Sequence, residues 1–392
     1  MILWIMQFLV DLGIKVPHLF MYASTRMIFS AFFTLTLTIL LGKTFIQVLY
    51  ELKIGHTVRI GDVAVLKEMY QKSEDVPSMG GVLFLTTILL SAIFWMDLTH
   101  AFTLILVLTT VLMGFLGGMD DYLKIKRKKA SLGVSSKQKF LIQAIFSAFL
   151  GLYLLWAPLT NAINVKPPVA KEKEMVTLNT HEYATRYYFP FYKKPFIVTG
   201  ILGYAAALFL TIFVVTGSTN AVNLTDGLDG LATGLVLLVA LVLSIFAFLS
   251  NNLAVSQYLN ILYIEGSGEI GVFLCAVIGA CLGFLWFNGY PAQIFMGDTG
   301  SLALGGILGV SAVLLRREFL YALVGGVFVL ETLSVIIQVL SYRFRNGKRV
   351  FKCAPLHHHF ELQGWHEAKV VIRFWMLGLM FALIGLATLK IQ

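Results

Sequence analysis

The sequence predicts an all-α, polytopic integral membrane protein of about ten transmembrane helices. Three observations carry that reading. Of the 392 residues, 58% are hydrophobic and 13% charged, where soluble domains average about 45–50% apolar and about 25% charged. Apolar runs of roughly 20 residues, the length that crosses a bilayer core as a helix, recur along the chain. Lys and Arg, 30 against 21 acids, crowd into alternate connections, as the positive-inside rule requires. This composition excludes a disordered chain, a disulfide-stapled secreted domain and a typical soluble enzyme. The net charge of +9 is then a topological signal, and no nucleic-acid partner is expected. Cys275 and Cys281 lie in an apolar run and Cys353 in a basic loop, without metal or redox spacing.

Residues 1–10 are apolar, have no basic n-region and meet Asp11 and Lys15 without a cleavage site, so an interfacial helix is expected and not a signal peptide. Spans follow at about 22–42, 80–96, 101–118, 140–157, 196–216, 231–249, 269–287, 302–315, 319–341 and 371–389. The run at 302–315 is short and holds Gly305, Gly306 and Gly309, a pattern for close helix packing; merged with its neighbour it leaves nine spans. Loops 42–78, 119–139, 217–230, 288–301 and 342–370 carry 18 Lys/Arg, and the opposite set 10, six of them in the 158–195 loop. Long loops weigh little in this rule, so the first set is cytoplasmic and both termini are outside. The chain reads as one membrane domain, 1–392, with 158–195 an extended outer loop. That loop holds Pro167, Pro168, the mixed-charge run Lys171–Glu174 and the aromatics Tyr187, Tyr188, Phe189, Phe191 and Tyr192, expected at the bilayer interface. No internal repeat supports the inverted symmetry of transporters.

The polar residues gather at the cytoplasmic ends. Asp120 and Asp121 end the third span; Asn220, Asn223, Asp226 and Asp229 follow the fifth; Asn288 follows the seventh, with Asp298 ten residues on; His357, His358 and His359 lie in the last loop. Ionisable groups beside hydrocarbon are functional candidates. The pair Asp120–Asp121 fits either an ion-paired turn with the lysines behind it or a site for a cation or phosphate. Asn220-Ala-Val-Asn223-Leu-Thr-Asp226-Gly-Leu-Asp229-Gly230 spaces its polar groups by three, on one slowly drifting face if helical. An Asx-rich turn explains one or two of them. It does not explain two carboxylates and two amides with no Lys or Arg among them. A cation or a phosphate–magnesium group is their natural partner, because magnesium takes hard oxygen ligands shared with substrate phosphate. Asp298 is either a helix N-cap or a metal ligand. The three histidines lack zinc spacing, and fit a pH-sensitive loop, a phosphate contact or a proton shuttle. Lys137 and Lys139, before the fourth span, suit anionic headgroups or substrate phosphate.

Together these segments resemble the phospho-N-acetylmuramoyl-pentapeptide-transferases. The resemblance rests on 220–231, on Phe295-Met-Gly-Asp298 with Gly300-Ser301-Leu302, on Asp120-Asp121-Tyr122, and on Ala354-Pro-Leu-His-His-His-Phe-Glu-Leu-Gln-Gly-Trp365. It runs from about Thr25 to Lys390, and the triple-His segment is its most specific part. It implies ten helices with periplasmic termini and an active site at the cytoplasmic face of the bacterial inner membrane. It implies transfer of phospho-MurNAc-pentapeptide from UDP to undecaprenyl phosphate, giving lipid I and UMP, with Mg2+. Asp298 would ligate the magnesium, and Asp120 and Asp121 would bind or deprotonate the lipid phosphate. Lys139 matches the family's lysine before the fourth span. Asn223, Asp226, Gly227, Leu228 and Asp229 would line the nucleotide pocket, with Asn288 and Phe295 near the uracil. His357, His358 and His359 would contact substrate phosphate or sugar.

Two departures stand out. Where the family carries a Lys-containing Gly-Thr-Pro segment, this chain reads Lys72-Ser-Glu-Asp-Val-Pro77, its lysine displaced by an insertion; Lys72 is the expected nucleotide contact. The 158–195 loop is longer than typical. Membrane lipid is an expected partner, and oligomeric state, a homodimer included, stays open. Two other functions compete: a sister transferase moving N-acetylglucosamine-1-phosphate, which differs at 355–365, and a cation-coupled transporter, which would place its acids near the midplane.

Overall fold

A computed structural model describes residues 2–14, 18–52, 76–127, 133–156, 165–166, 180–192 and 194–391. Ten long helices account for most of them: α1 (Ala23–Glu51), α2 (Gly81–Trp95), α3 (Ala101–Arg127), α4 (Ser136–Leu155), α5 (Gly200–Thr225), α6 (Leu231–Ser250), α7 (Ser267–Asn288), α8 (Gly297–Leu314), α9 (Gly326–Phe344) and α10 (Glu367–Ile391). Among the described residues nine of these are long and apolar enough to cross a membrane, and the apolar α2 is shorter, at 15 residues. The all-α, multi-pass reading therefore holds, and the glycine-rich run near 302 is a separate helix. The expected N-terminal helix is present at Ile2–Asp11.

Several boundaries moved, for local physical reasons. Helix α3 continues past residue 118 to Arg127, so Asp120 and Asp121 sit in a helix and not a turn. Its last turn holds Lys124, Lys126 and Arg127, where cations suit the negative end of the helix dipole. Helix α5 likewise runs to Thr225, which makes Asn220 and Asn223 helical and confines the turn to 226–230. The run at 319–341 is broken at Gly325 into a short helix, Glu318–Val324, and α9.

The centre of the bundle is α6, α7 and α8. Helix α7 lies along α1, and α8 is wedged between α3 and α5. Glycines permit this approach: a Cβ at Gly305 would stand 2.7 Å from the Ser218 carbonyl oxygen, and one at Gly81 would collide with the Gly300 amide. Threonine and serine supply polar ties, among them Thr34 donating to the Ala276 carbonyl at 2.9 Å and Ser30 to that of Val272 at 3.0 Å. In hydrocarbon such groups satisfy one another or the backbone.

The described part of the 158–195 loop packs onto the end of α8 opposite Asp298. Arg316 donates to the Ala184 carbonyl at 2.8 Å and pairs with Glu318 at 2.8 Å. Its guanidinium lies over the Tyr183 and Tyr187 rings, and that of Arg317 over Tyr188 and Phe246. The loop's aromatics, expected together at the bilayer interface, divide into two groups. Tyr187 and Tyr188 are buried on arginine, Phe189 stacks on Phe319 at 4.1 Å, and Phe191 and Tyr192 are exposed. Helix α8, with 18 residues, spans about 27 Å at 1.5 Å per residue. It separates this cap from Asp298, at its opposite end.

Candidate active site

The end of α3, the start of α4, the end of α5 and the start of α8 converge. Asp120, Asp121 and Asp298 bring carboxylate oxygens within 4.8 Å of one another. Lys139 reaches Asp298 Oδ2 at 2.6 Å and Asp120 Oδ2 at 2.7 Å. Lys124 reaches the same two oxygens at 3.0 and 2.5 Å. Three carboxylates against two ammonium groups leave one negative charge in a largely buried space. That excess favours a cation.

The three acids are held differently. Asp121 accepts from the Asp298 amide at 3.1 Å, the Thr299 amide at 2.9 Å and the Thr299 hydroxyl at 2.7 Å. It thereby caps the first turn of α8 from a different helix, meeting donors that would otherwise lack partners. The N-cap role expected for Asp298 belongs to Asp121. Asp120 accepts from the Val134 amide at 2.6 Å. Asp298 accepts from the Asn223 amide at 3.0 Å, and Asn223 also donates to Ser301 at 2.8 Å. Gly297, at φ +74°, lets the chain enter α8 here; a Cβ would stand 2.6 Å from Asp121 Oδ2. Positive φ is costly for residues other than glycine.

Beside this cluster lies the 226–230 turn. Asp226 is partly buried, and its burial together with the negative charge of Asp298, Asp121 and Asp229 pushes its pKa up to about 8. Asp229 is also raised, chiefly by burial. It accepts from the Ala292 amide at 2.9 Å, while its own amide donates to Glu367 at 2.9 Å. Leu228 is buried. Asn288 accepts from Thr233 at 3.0 Å and donates to the Ile294 carbonyl at 2.9 Å, bracing the loop that carries Phe295. That loop is pinned by Phe295, whose amide donates to the Pro77 carbonyl at 2.9 Å and whose carbonyl accepts from Gly80 at 2.8 Å.

Of the three histidines, His357 and His358 meet edge to face with ring centroids 4.2 Å apart, and His359 has other partners. They lie in the short helix Leu356–Glu361. His357 is buried against Gly227, where a Cβ would collide with its ring. Its amide donates to Glu331 at 3.2 Å. His358 Nδ1 lies 2.7 Å from Glu361, and burial, followed by the adjoining His357, holds its pKa below the usual imidazole value. His359 accepts from the Lys352 amide at 3.1 Å and lies 2.8 Å from Gln363 Nε2, turned toward the 352–363 segment. Lys72 lies outside the described residues. Sequence reasoning missed Lys124 as a member of the cluster, although its i+4 spacing from Asp120 was a signal. It also missed Thr299 and Glu331, for which no local signal existed.

Residues 103–316, α3 through α8, match the model of glycosyl transferase family 4. Fold, site and match define the class: a membrane-embedded transferase. Full-length relatives narrow it. The chain is 53% identical to a phospho-N-acetylmuramoyl-pentapeptide-transferase of Protochlamydia amoebophila, over 97% of each chain. It is 42% identical to proteins of that name from Francisella tularensis subsp. mediasiatica and Francisella philomiragia, covering 95% of this chain and 94% of each relative. The chain belongs to the phospho-N-acetylmuramoyl-pentapeptide-transferase family.

Proposed function

We propose that the protein transfers phospho-N-acetylmuramoyl-pentapeptide from its UDP-linked donor to undecaprenyl phosphate in the bacterial inner membrane, forming lipid I and UMP with Mg2+. The observation that carries this is the cluster of three carboxylates and two lysines at one end of the bundle. There a soluble polyanion and a lipid-tethered phosphate can both arrive. The donor set fits magnesium, being hard carboxylate oxygens close enough to share one ion. Asp298 would hold it, with Asp120 left to the lipid phosphate; Asp121 accepts from the first turn of α8 with both oxygens. When bound, the ion supplies Lewis-acid charge neutralisation for the diphosphate.

The chain's own groups do the rest. Lys124 and Lys139 neutralise the approaching phosphates and hold them beside the carboxylates. An oxygen of the lipid phosphate attacks the phosphorus that bears the muramoyl sugar. The bond from that phosphorus to the bridging oxygen breaks, and UMP departs with the electron pair. Asp120 accepts the proton when the lipid phosphate arrives monoprotonated. Asn223 keeps Asp298 oriented. Asp226, Gly227, Leu228 and Asp229, with Asn288, Phe295 and Lys72, form the nucleotide side, and His357, His358 and His359 the sugar-phosphate side. The whole chain acts as one transferase domain.

The test is UMP release by purified protein, with magnesium removed and restored and with undecaprenyl phosphate present and absent. UMP should appear only with both. Turnover with UDP-N-acetylglucosamine in place of the muramoyl donor would reject the substrate. Labelled phospho-enzyme formed with donor alone would replace direct attack by a covalent Asp intermediate.

A further inference from the structure

One turn deeper in the bundle than the lysine–carboxylate cluster lies a polar group with no role in the account above. Gln143 follows Lys139 by four residues on α4, on the same helix face, and is fully buried. Asn220 precedes Asn223 by three residues on α5. Its carboxamide nitrogen donates to the Thr216 carbonyl at 2.8 Å and to Gln143 Oε1 at 2.7 Å. The Thr216 carbonyl can only accept, so the orientation of Asn220 is determined, and with it that of Gln143. Gln143 must turn its oxygen to Asn220 and its NH2 away. Among the described residues that buried Nε2 has no hydrogen-bond partner. Leaving such a donor unmet is costly, so it marks a place where an acceptor belongs.

The surroundings say which acceptor. Gly217, Asn220 and Leu224 share one face of α5. Gly217 and Leu224 are exposed, and nothing lies within 4 Å of a Cβ built at Gly217. On α4, the neighbouring Phe140, Ile142 and Ile145 are exposed. The buried amide therefore lies behind an exposed stretch of α5 and about 5–6 Å deeper than Lys139, one helical turn. A phosphate monoester held at the lysines carries three non-bridging oxygens about its phosphorus, so two can meet the ammonium groups while the third faces the deeper amide.

We propose that Gln143, oriented by Asn220, donates a hydrogen bond to a non-bridging oxygen of the acceptor's phosphate and so sets its depth at the cluster. The inference rests on the acceptor being a lipid phosphate, as proposed above. Gln143 would be a binding residue for the acceptor alone, with Asn220 a positioning residue behind it.

Two variants of the full-length protein test this. Gln143→Met removes both the donor and the acceptor at similar volume and without adding charge; Gln143→Glu keeps an acceptor for Asn220 but adds a carboxylate, so it supports the proposal only alongside the same loss in Gln143→Met. Equilibrium binding of undecaprenyl phosphate, and separately of undecaprenol, is measured without donor. KM values for donor and acceptor and the melting temperature follow. Both variants should bind undecaprenyl phosphate about ten- to a hundredfold more weakly, the loss expected for a hydrogen bond to a charged group. The acceptor KM should rise in parallel, with the donor KM and undecaprenol binding unchanged. Unchanged affinity for undecaprenyl phosphate overturns the proposal, whether or not the melting temperature falls. So does an equal loss for undecaprenol or for the donor. Binding needs no turnover, so a wild-type protein that binds the lipid yet releases no UMP counts against the proposed reaction and not against Gln143.

Discussion

Asp298 meets Lys139, Lys124 and Asn223 with its two oxygens. Asp298→Asn should lower kcat by about a hundredfold or more, the scale of removing a preorganised electrostatic group, with the melting temperature preserved. Wild-type turnover in that variant would remove the metal role. Asp226 makes a separate prediction. Its pKa, raised to about 8, means the folded protein favours the neutral carboxyl. Its contribution to stability is complete below the ordinary Asp value of about 3.9 and is lost as pH rises through about 8. In chelator, the melting temperature should fall as pH rises toward about 9, and Asp226→Asn should flatten that slope. A wild-type slope in the variant would place the titration elsewhere. The sequence exposed these residues because their type and spacing were unusual for a membrane chain. It did not expose Thr299 or Gln143. Their importance lies in what faces them across 178 and 77 residues of chain, and no local pattern encodes that.

Among the elements, α3 and α8 are the pair on which the site depends. Gly117, on α3, lies so close to the Asp298 carbonyl that a Cβ would collide with it. Because backbone cannot yield as a flexible side chain does, Gly117→Ala must separate the two helices. Turnover and metal affinity should both drop, measured in protein that still melts cooperatively. Gly118→Ala serves as the control, since a Cβ there meets only ordinary contact with Thr299, at 3.5 Å. Equal activity in the two variants would show that the helix spacing is not what holds Asp298. The hydropathy pattern revealed both helices but stopped α3 near residue 118. Hydropathy reports where apolar residues end, whereas the helix itself continues while its backbone bonds and dipole are satisfied, here by basic residues to Arg127.

The whole molecule divides its labour between two ends. The cap on Arg316 and Arg317 stands the length of α8 from Asp298. Deleting residues 167–179 should therefore leave kcat unchanged, checked by UMP release. Arg317→Ala should lower stability by roughly 2 kcal/mol through lost cation–π packing on Tyr188 and Phe246, read as a lower melting temperature with an unchanged acceptor KM. A changed KM in either variant would join the two ends functionally. The number of helices was legible in the sequence, since each must cross hydrocarbon. The inward packing of Tyr187 and Tyr188 was not, because an aromatic beside a membrane looks the same whether it faces headgroups or an arginine.

Asp121 closes the first turn of a helix that begins 176 residues after it, in a chain that enters the membrane from its N-terminus. During synthesis, then, the first two acids wait in an unfinished bundle until α8 arrives. A polypeptide ending before residue 297 holds Asp120 and Asp121 but has no third carboxylate and no helix end for Asp121 to cap. A chain that stops anywhere in the first three quarters of the sequence lacks Asp298 and α8, and is expected to release no UMP. It is not a half-active product that draws down the cell's nucleotide-sugar or its lipid carrier.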